Sequence, residues 1–272
     1  MIKRLGNYKT GFKYVYLNGD RVKDLSIIYY LKSLKIPPAY QRVHIYSNKN
    51  AKIIAYGYDS KNRKQSIYNK TFIEKQAQIK FNRYFQHRDI IKNIVAKIHN
   101  DIKSNDPKIR EIAMVLLLII ECGFRIGNRK YLKENNSYGI TTINFSHIQF
   151  DNNRTIIEFV GKKGVINRSI CYNKTISNYL KLKKMYSKRT DRVFTCSSSD
   201  VNSYLKELDP DITSKDLRTW NANELFIKFV NSGSSINDSI KMVAEKLHNT
   251  PAVCKKNYID PEIIEYYNIK TT

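Results

Sequence analysis

The stretch at residues 248–258 reads HNTPAVCKKNY and combines a helix start with a tyrosine. Thr250 and Pro251 predict the first residues of a helix, because threonine caps helices and proline suits the first helical position. Tyr258 then lies about two helical turns further on, directly after two lysines and an asparagine. A phenol held among cations suits a nucleophile aimed at a phosphodiester, whereas a core tyrosine at the end of an ordinary helix gives the same local pattern.

The charge of the chain favours a polyanionic partner. Lys and Arg number 48 and Asp and Glu 24 in 272 residues, which gives a formal net charge of +24. A field of this sign and size attracts nucleic acid first of all. We therefore expect nucleic acid as the partner. A membrane surface is the rival partner, but no basic amphipathic segment stands out as an anchor.

Other function classes find little support. The longest apolar run, residues 112–120, is short of the roughly 20 residues that cross a bilayer, so it predicts a core helix. There is no signal-peptide pattern, and we expect an intracellular protein. The cysteines lie far apart, without CxxC spacing or a nearby histidine, so we expect reduced thiols and no metal. They are Cys122, Cys171, Cys196 and Cys254.

The first part of the chain has short, β-like signals. Residues 11–17 predict a strand, Asp24 a cap for a helix over 25–35, and residues 43–46 and 53–58 a pair of strands. From residue 71 a helical period predicts a helix to about 104. Asn105-Asp106-Pro107 then ends that helix and starts the next, which carries the apolar run to Gly123.

Short strands interrupt the helices once more before helices take over again. They are predicted at 140–143, 147–150 and 155–160, followed by a turn at 161–164 and a return strand to Cys171. The sequence therefore predicts an α+β protein. Residues 1–72 would form a small β-rich N-terminal domain, and residues 73–272 a larger, mainly helical domain.

Several cations occupy positions where a phosphate could approach. Arg125 follows the buried helix between two glycines, which let backbone and ligand come close, and Lys162 lies in a Gly-flanked turn. Lys215 and Arg218 lie near the start of a helix capped by Thr213 or Ser214, where unpaired N–H groups also favour a phosphate. Each also has an ordinary interpretation, as a helix-capping cation, a solvated turn charge or a salt-bridge partner.

In this order the motifs resemble those of the type IB DNA topoisomerases of the compact viral and bacterial kind, and the resemblance covers nearly the whole chain. The motifs are IPPAY at 36–40, GYDSKNRKQ at 57–65, FRIGN at 124–128, KYLKEN at 130–135, VGK at 160–162, KDLRTW at 215–220, and 249–258. KYLKEN is similar to the poxvirus enzymes and NTPAVC to the bacterial branch. The implied catalytic fold is that of topoisomerase IB and the tyrosine recombinases.

The resemblance implies a mechanism. Tyr258 would attack a backbone phosphorus, leaving a 3′-phosphotyrosyl bond and a free 5′-hydroxyl that later attacks back, without ATP or metal. Arg125 and Arg218 would hold the charge on the non-bridging oxygens, for which the forked, permanently charged guanidinium is well suited. Lys162 corresponds to the general acid for the departing oxygen, and Lys215 to a second lysine that assists.

Asn249 departs from the poxvirus pattern, which has histidine nine residues before the tyrosine. An asparagine amide can donate to a phosphate oxygen but carries no proton that titrates near neutrality. His248 is one residue away, about 100° around any helix, and should not substitute for it. We therefore expect cleavage to depend only weakly on pH between 5.5 and 7.5.

The resemblance implies double-stranded DNA as the partner, with no membrane and no small-molecule cofactor. It also suggests which residues contact DNA. The N-terminal domain would lie on the major-groove side and the catalytic domain opposite, forming a clamp. Candidates in the first are Tyr58, Arg63, Lys64, Gln65 and Tyr68; candidates in the second are Lys130, Tyr131 and Lys133. A solvated basic face is the alternative interpretation for each of them.

Two other functions stay open. A tyrosine site-specific recombinase uses the same Arg-Lys-Arg-Tyr set, but usually has histidine where this chain has Lys215, and a helical N-terminal domain. A non-catalytic DNA-binding protein could use the same scaffold. Abundant Ile, Lys, Asn and Tyr are typical of an AT-rich genome, and with the small size of the chain they suggest a large DNA virus. The expected locations are then the virion and the host cytoplasm or nucleus. The family resemblance implies a monomer.

Overall fold

The computed structural model describes the backbone of residues 1–271 and their side chains, except those at 77, 78, 80–85 and 271. The chain divides into two compact units, Met1–Lys80 and Phe81–Thr272. The predicted α+β class is confirmed by a first unit built on a sheet and a second that is mainly helical. The predicted domain boundary after residue 72 stays a prediction.

The first unit is a five-stranded antiparallel sheet with one helix. The strands run in the order β2-β1-β3-β4-β5. Their bounds are β1 Ile2–Asn7, β2 Gly11–Tyr16, β3 Gln41–Ile45, β4 Ile53–Tyr58 and β5 Lys64–Tyr68, and the helix is α1 Leu25–Ser33. The predicted strands β2, β3 and β4 are confirmed, as is Asp24 as the cap of α1, whose carboxylate accepts from two backbone N–H groups.

The sequence patterns do not predict strands β1 and β5. In β1, the inward positions are not uniformly apolar. In β1 the inward residues are Ile2 and Arg4, and Arg4 is only 8% exposed. Its guanidinium donates to the backbone carbonyls of Ile36, Pro37 and Tyr40. An arginine satisfied in this way fills a core position that alternating hydrophobicity would assign to an apolar side chain.

The second unit contains most of the helices. Their bounds are α2 Lys70–Asp101 (which begins in the first unit), α3 Pro107–Cys122, α4 Arg129–Asn135, α5 Lys174–Met185, α6 Ser198–Leu208, α7 Ser214–Asn231, α8 Ile236–Lys246, α9 Pro251–Asn257 and α10 Pro261–Thr271. The predicted helix from residue 71 is thus confirmed as α2. Helices α3 and α7 lie against each other at the centre of the unit.

Helix α3 is the core of the second unit. Asp106 caps its N-terminus and Pro107 is its first residue, as predicted, and every residue from Glu111 to Ile119 is buried. The helix ends at Gly123, whose φ of +66° is left-handed. A β-carbon there would lie 2.1 Å from the carbonyl oxygen of Lys246. Only glycine therefore lets the ends of α3 and α8 come this close.

A three-stranded antiparallel sheet lies between α4 and α5 in the sequence. Its strands are β6 Ile148–Asp151, β7 Arg154–Val160 and β8 Ile166–Cys171, in that order. The predicted strand at 140–143 is wrong: Ile140–Thr142 is a 3-10 turn. Its backbone N–H groups donate to the carbonyls of Arg125 and Ile126. The apolar run therefore anchors the loop after α3 instead of joining a sheet.

Two smaller sequence predictions concern membranes and cysteines. In the described part of the chain, no helix combines the length and apolar character needed to span a bilayer. All four cysteines are free thiols and buried, in agreement with the prediction.

Candidate active site around Tyr258

Tyr258 lies at the C-terminal end of α9 and is half-buried. The predicted helix start is confirmed: Thr250 caps α9, its hydroxyl accepts from the N–H of Val253, and Pro251 is the first helical residue. The backbone N–H of Tyr258 closes the last turn on the carbonyl of Cys254. Tyr258 is therefore the residue at which the short helix ends.

Asn223 on α7 holds the backbone on both sides of Ile259, and sequence reasoning missed it. Its side-chain amide donates to the carbonyl of Tyr258 at 2.9 Å, and its amide oxygen accepts from the N–H of Asp260 at 2.8 Å. Asn223 is fully buried. Its only sequence signal is a polar residue on the inward face of α7, five positions after Arg218.

Arg218 lies deep beside Tyr258. Its side chain is only 2% exposed, and its guanidinium carbon is 5.0 Å from the centre of the Tyr258 ring. One nitrogen, Nη2, donates to the carbonyl of Leu247. Within the described residues, Nε and Nη1 have no hydrogen-bond partner. A buried guanidinium with two unused donors is prepared for an acceptor that the protein itself does not provide.

The pKa of Arg218 is lowered from 12.5 to about 10, chiefly by burial; the charge of Arg125 contributes to this lowering, and Tyr258 opposes it. The group is nonetheless protonated at neutral pH, since 7 lies well below that value. The fold therefore keeps a full positive charge in a place that penalises it. Such penalties are typical of functional sites.

The side chain of Arg125 is hydrogen-bonded to that of Asn249. Its Nη2 donates to the side-chain oxygen of Asn249 at 2.6 Å. This bond orients the Asn249 amide so that its nitrogen is the remaining donor, and that nitrogen is buried without a partner among the residues described. Arg125 also lowers the pKa of Arg218, which shows that the two charges sense each other.

Glycines position Arg125. Gly127 has a left-handed φ of +86°, and a β-carbon on it would lie 2.8 Å from the α-carbon of Gly139. The two glycine backbones therefore pass in direct contact. Together with the hydrogen bond from Ile140 to the Arg125 carbonyl, this contact fixes the loop that carries the guanidinium.

The two candidate lysines are exposed and, among the described side chains, make no polar contact with the arginines, Asn249 or Tyr258. Lys162 is exposed at the tip of the β7–β8 hairpin, in a turn where Gly161 and Gly164 flank it. Lys215 is exposed on the first turn of α7.

The start of α7 differs from the expected phosphate site. Thr213 is the cap, one of the two residues predicted, and the Asp216 carboxylate accepts from its N–H and its hydroxyl. A carboxylate thus occupies this end of the helix and interacts favourably with its dipole. The cation of α7 that could bind a phosphate is instead Arg218, which lies just beyond the first turn and is buried.

His248 does not share the position of Asn249, as predicted, but the physical reason is different. The two residues lie in a turn between α8 and α9, and His248 has a left-handed φ of +51°. Its ring stacks on Phe124, with ring centres 5.2 Å apart. Its Nε2 lies 3.0 Å from the carbonyl oxygen of Cys122.

In the first unit, the candidate DNA contacts form a cation-rich aromatic surface. Arg42 lies 4.2 Å from the ring centre of Tyr58, and Lys64 lies 4.3 Å from that of Tyr56. The rings of Tyr56 and His44 are stacked at 5.0 Å. Sequence reasoning missed Arg42, Tyr56 and His44, which strand pairing places beside the predicted residues.

Two of the predicted residues in this unit, Arg63 and Gln65, bind the same carboxylate, whereas a third, Tyr68, does not. The Asp59 carboxylate binds the Arg63 guanidinium and accepts from the Gln65 amide. The pKa of Asp59 is lowered to about 2, chiefly by the hydrogen bonds from the side chain and the backbone of Arg63. Tyr68, in contrast, is exposed and stacks on Phe72.

The candidates of the second unit lie on the short helix α4. Lys130, Tyr131 and Lys133 are all exposed, with Tyr131 at 60%. Lys130 also approaches Glu134 one turn later, at 4.0 Å. The helix thus presents two amines and a phenol to solvent without packing them.

One group of side chains has metal-ligand spacing. His87, Asp209 and Asp211 each offer a ligand atom, and these atoms lie within 4.8 Å of one another. The two aspartates belong to the loop between α6 and α7. Acidic groups at a surface often lie together without an ion, so this group alone does not establish a metal site.

Family models match both parts of the chain. Residues 69–269 match the eukaryotic DNA topoisomerase I catalytic core. Residues 11–59 match the N-terminal domain of bacterial DNA topoisomerase IB.

Individual relatives include viral proteins. The chain is 28% identical to DNA topoisomerase 1B of Acanthamoeba polyphaga mimivirus, over 95% of this chain and 86% of that protein. It is also 28% identical to DNA topoisomerase 1B of Vaccinia virus (strain Copenhagen), over 86% of this chain and 80% of the relative.

A solved structure of the XerH site-specific recombinase bound to its palindromic difH substrate aligns with a TM-score of 0.43 at 13% identity. The alignment covers 67% of this chain and 49% of the recombinase, so this chain spans about half of that protein's length. The family assignment comes from the sequence models, one of which covers about three quarters of the chain. On that ground the chain belongs to the type IB DNA topoisomerases.

Proposed function

We propose that this chain relaxes supercoiled duplex DNA by cutting one strand through Tyr258, letting the duplex swivel, and rejoining the strand. One observation carries the proposal: in the part of the chain that is described, Arg218 and Asn249 together hold three buried donors without partners, and the Arg218 guanidinium lies beside the Tyr258 ring. Family membership supplies the reaction class, and the arrangement supplies a site for its phosphate.

The unpaired donors fit a phosphodiester under attack. Leaving a buried donor unsatisfied costs about 1–3 kcal/mol, so a fold keeps such groups for a ligand that completes them. When the Tyr258 oxygen attacks, negative charge grows on the two non-bridging oxygens of the five-coordinate phosphorus. Donors from Arg218, Arg125 and Asn249 would stabilise this charge more than that of the resting diester, which is the condition for catalysis.

The leaving group needs a proton, and Lys162 is our candidate to supply it. A 5′-alkoxide is a poor leaving group, and a lysine ammonium has a proton to donate at neutral pH. Lys162 is exposed on a short hairpin turn, so its ammonium group is accessible to bound DNA. Lys215, exposed on the first turn of α7, would assist. The Tyr258 ester conserves the bond energy, so rejoining requires neither ATP nor a metal.

DNA binding would use both units. The net charge of +24 provides the attraction, and the surface of β3, β4 and β5 and the exposed side chains of α4 provide contacts. We infer a monomer and an N-terminal DNA-clamp domain over residues 1–72. We further infer an intracellular place of action, in the virion and the host cytoplasm or nucleus if the chain is viral.

Plasmid relaxation tests the function directly. The protein is incubated with negatively supercoiled plasmid in EDTA, without ATP, and parallel samples are stopped with detergent to trap covalent protein–DNA complexes. We expect relaxation and trapping with the natural chain, and neither with Tyr258→Phe. DNA binding without relaxation would contradict the proposal. Strand exchange between paired sites without relaxation would favour a recombinase.

The role of Lys162 has its own test. In an oligonucleotide whose bridging 5′ oxygen is replaced by sulfur, the leaving thiolate needs no proton. Lys162→Ala should therefore slow cleavage of the oxygen substrate strongly and leave the sulfur substrate nearly unaffected. Equal slowing of both substrates would assign Lys162 to binding instead. Lys163→Ala, which alters the next residue of the same turn, is the matched control.

A further inference from the structure

The turn between α8 and α9 contacts both arginines of the proposed site. The carbonyl of Leu247 accepts from Arg218, and the side chain of Asn249 accepts from Arg125. These residues flank His248 on either side. The conformation of one residue therefore sets the spacing of the two acceptors to which the guanidinium groups are bound.

His248 has an uncommon backbone conformation for a residue with a side chain. Its φ of +51° is left-handed, a region that glycine enters freely and other residues enter at a cost. Such strained positions persist where surrounding contacts determine them, and they concentrate at functional sites.

The ring of His248 is fastened to the segment that leads to Arg125. It stacks on Phe124, the neighbour of Arg125, with the two ring planes inclined by only 15°. Its Nε2 lies 3.0 Å from the carbonyl oxygen of Cys122. Because a carbonyl only accepts, Nε2 carries the proton and donates it. The backbones also touch, since a β-carbon on Gly123 would collide with Lys246.

The charge state of the ring fits this place. The pKa of His248 is lowered to about 4, chiefly by burial; the bond to the Cys122 carbonyl opposes the lowering, and the charges of Arg218, Arg125 and Lys246 contribute to it. The ring is therefore neutral at pH 7. A neutral imidazole can lie near these cations without repelling them, which a lysine or arginine at this position could not do.

We propose that His248 is a positioning residue, which locks the α8–α9 turn to the end of α3 and so holds Arg125, Asn249 and Arg218 in register around the reacting phosphate. It does not touch the substrate. The inference rests on the proposed function, since it concerns the geometry in which that reaction occurs.

Two substitutions separate the ring from the backbone. His248→Gly accepts the left-handed conformation but removes the stack and the hydrogen bond. His248→Gln keeps a side-chain N–H of similar reach that can donate to the Cys122 carbonyl. Glu245→Gln, an exposed change on the last turn of α8, is the matched control. If His248→Gly is not folded, as judged by Trp220 fluorescence, His248→Asn replaces it, because asparagine also tolerates this conformation and is too short to reach the carbonyl.

Two measurements are made with supercoiled plasmid and protein in excess: the rate of covalent trapping, and the affinity for the plasmid. We expect His248→Gly to slow trapping about 10- to 100-fold, as displacement of catalytic groups by about 1 Å does, with unchanged affinity. His248→Gln should recover most of the rate. A merely structural role would lower folded fraction and affinity together and would not be rescued.

The proposal is overturned if folded His248→Gly traps DNA at the natural rate, or if affinity falls in parallel with the rate. It is also overturned if His248→Gln is as slow as His248→Gly while equally folded. Failure of the natural chain to form any covalent complex would instead refute the proposed function. The two failures are therefore distinguishable in one experiment.

Discussion

Replacing Arg218 with methionine should stabilise the protein while abolishing most of its activity. The fold lowers the pKa of Arg218 from 12.5 to about 10, chiefly by burial. Because pH 7 lies below both values, the side chain is charged in the folded and the unfolded chain. The folded state therefore bears the whole penalty, which is about 3 kcal/mol for a shift of this size.

Methionine removes that penalty but also two favourable contacts. The carbonyl of Leu247 loses its donor, at about 1 kcal/mol, and the Tyr258 ring loses a cation, at about 0.5–1 kcal/mol. The net expectation is a gain of about 1 kcal/mol in the free energy of unfolding. Loss of a donor to the developing phosphate charge should meanwhile slow covalent trapping about 100- to 1000-fold.

The chain offers a convenient probe for this measurement. Trp220 is the only tryptophan in the sequence, lies two residues from Arg218, and packs against both apolar clusters of the second unit. Its fluorescence in urea reports the unfolding of that unit. Arg189→Met, at an exposed turn, is the control and should change neither stability nor trapping. A variant of Arg218 that is less stable than the natural chain by more than about 1 kcal/mol would refute the reasoning, because it would mean that the fold already satisfies this charge.

Three further outcomes follow from the site. Cleavage rates should change little between pH 5.5 and 7.5, since Asn249 does not titrate and His248 has a pKa of about 4. Asn249→His should make the cleavage rate fall on the acid side of this range. An unchanged pH profile of this variant would count against the assignment of Asn249 to the site. Asn223→Ala should cost about 1–3 kcal/mol of stability in urea, because the Tyr258 carbonyl and the Asp260 N–H lose their partner; it should also slow trapping, and a natural rate would exclude a positioning role. Lys64→Ala should reduce the slope of log affinity against log salt by about 0.9 if this amine neutralises one phosphate, and an identical slope would place Lys64 away from DNA.

The stability expected of Arg218→Met illustrates how this site differs from a structural ion pair. In the described part of the chain, the hydrogen-bond acceptors of Arg218 and Arg125 are a backbone carbonyl and an amide oxygen, and neither is a carboxylate. Elsewhere arginines are satisfied internally, as Arg63 is by Asp59 and Arg4 by three carbonyls. A charge that a fold buries without neutralising it is best explained by a ligand that neutralises it.

Much of the fold follows from local patterns along the chain. The caps at Asp24, Asp106 and Thr250 and the left-handed end at Gly123 depend on residues next to them in sequence, so they are predictable. The misassigned strand at 140–143 and the unpredicted β1 depend on distant partners. An apolar run or a buried arginine has no local signature of what it will pack against.

The candidate site divides in the same way. The order of motifs indicated the family, which the family models confirm. It also predicted the tyrosine, the two arginines and the asparagine as site residues, because each residue type has a chemistry that a phosphate needs. Sequence could not show that Asn223 clamps the backbone beside Tyr258, or that His248 turns away from Asn249 toward Cys122 and Phe124. Those contacts join residues between 35 and 126 positions apart. Hydrogen bonds and burial over such separations arise only when α3, α7, α8 and α9 pack together, so the tertiary structure alone decides which donors are left unpaired for a substrate.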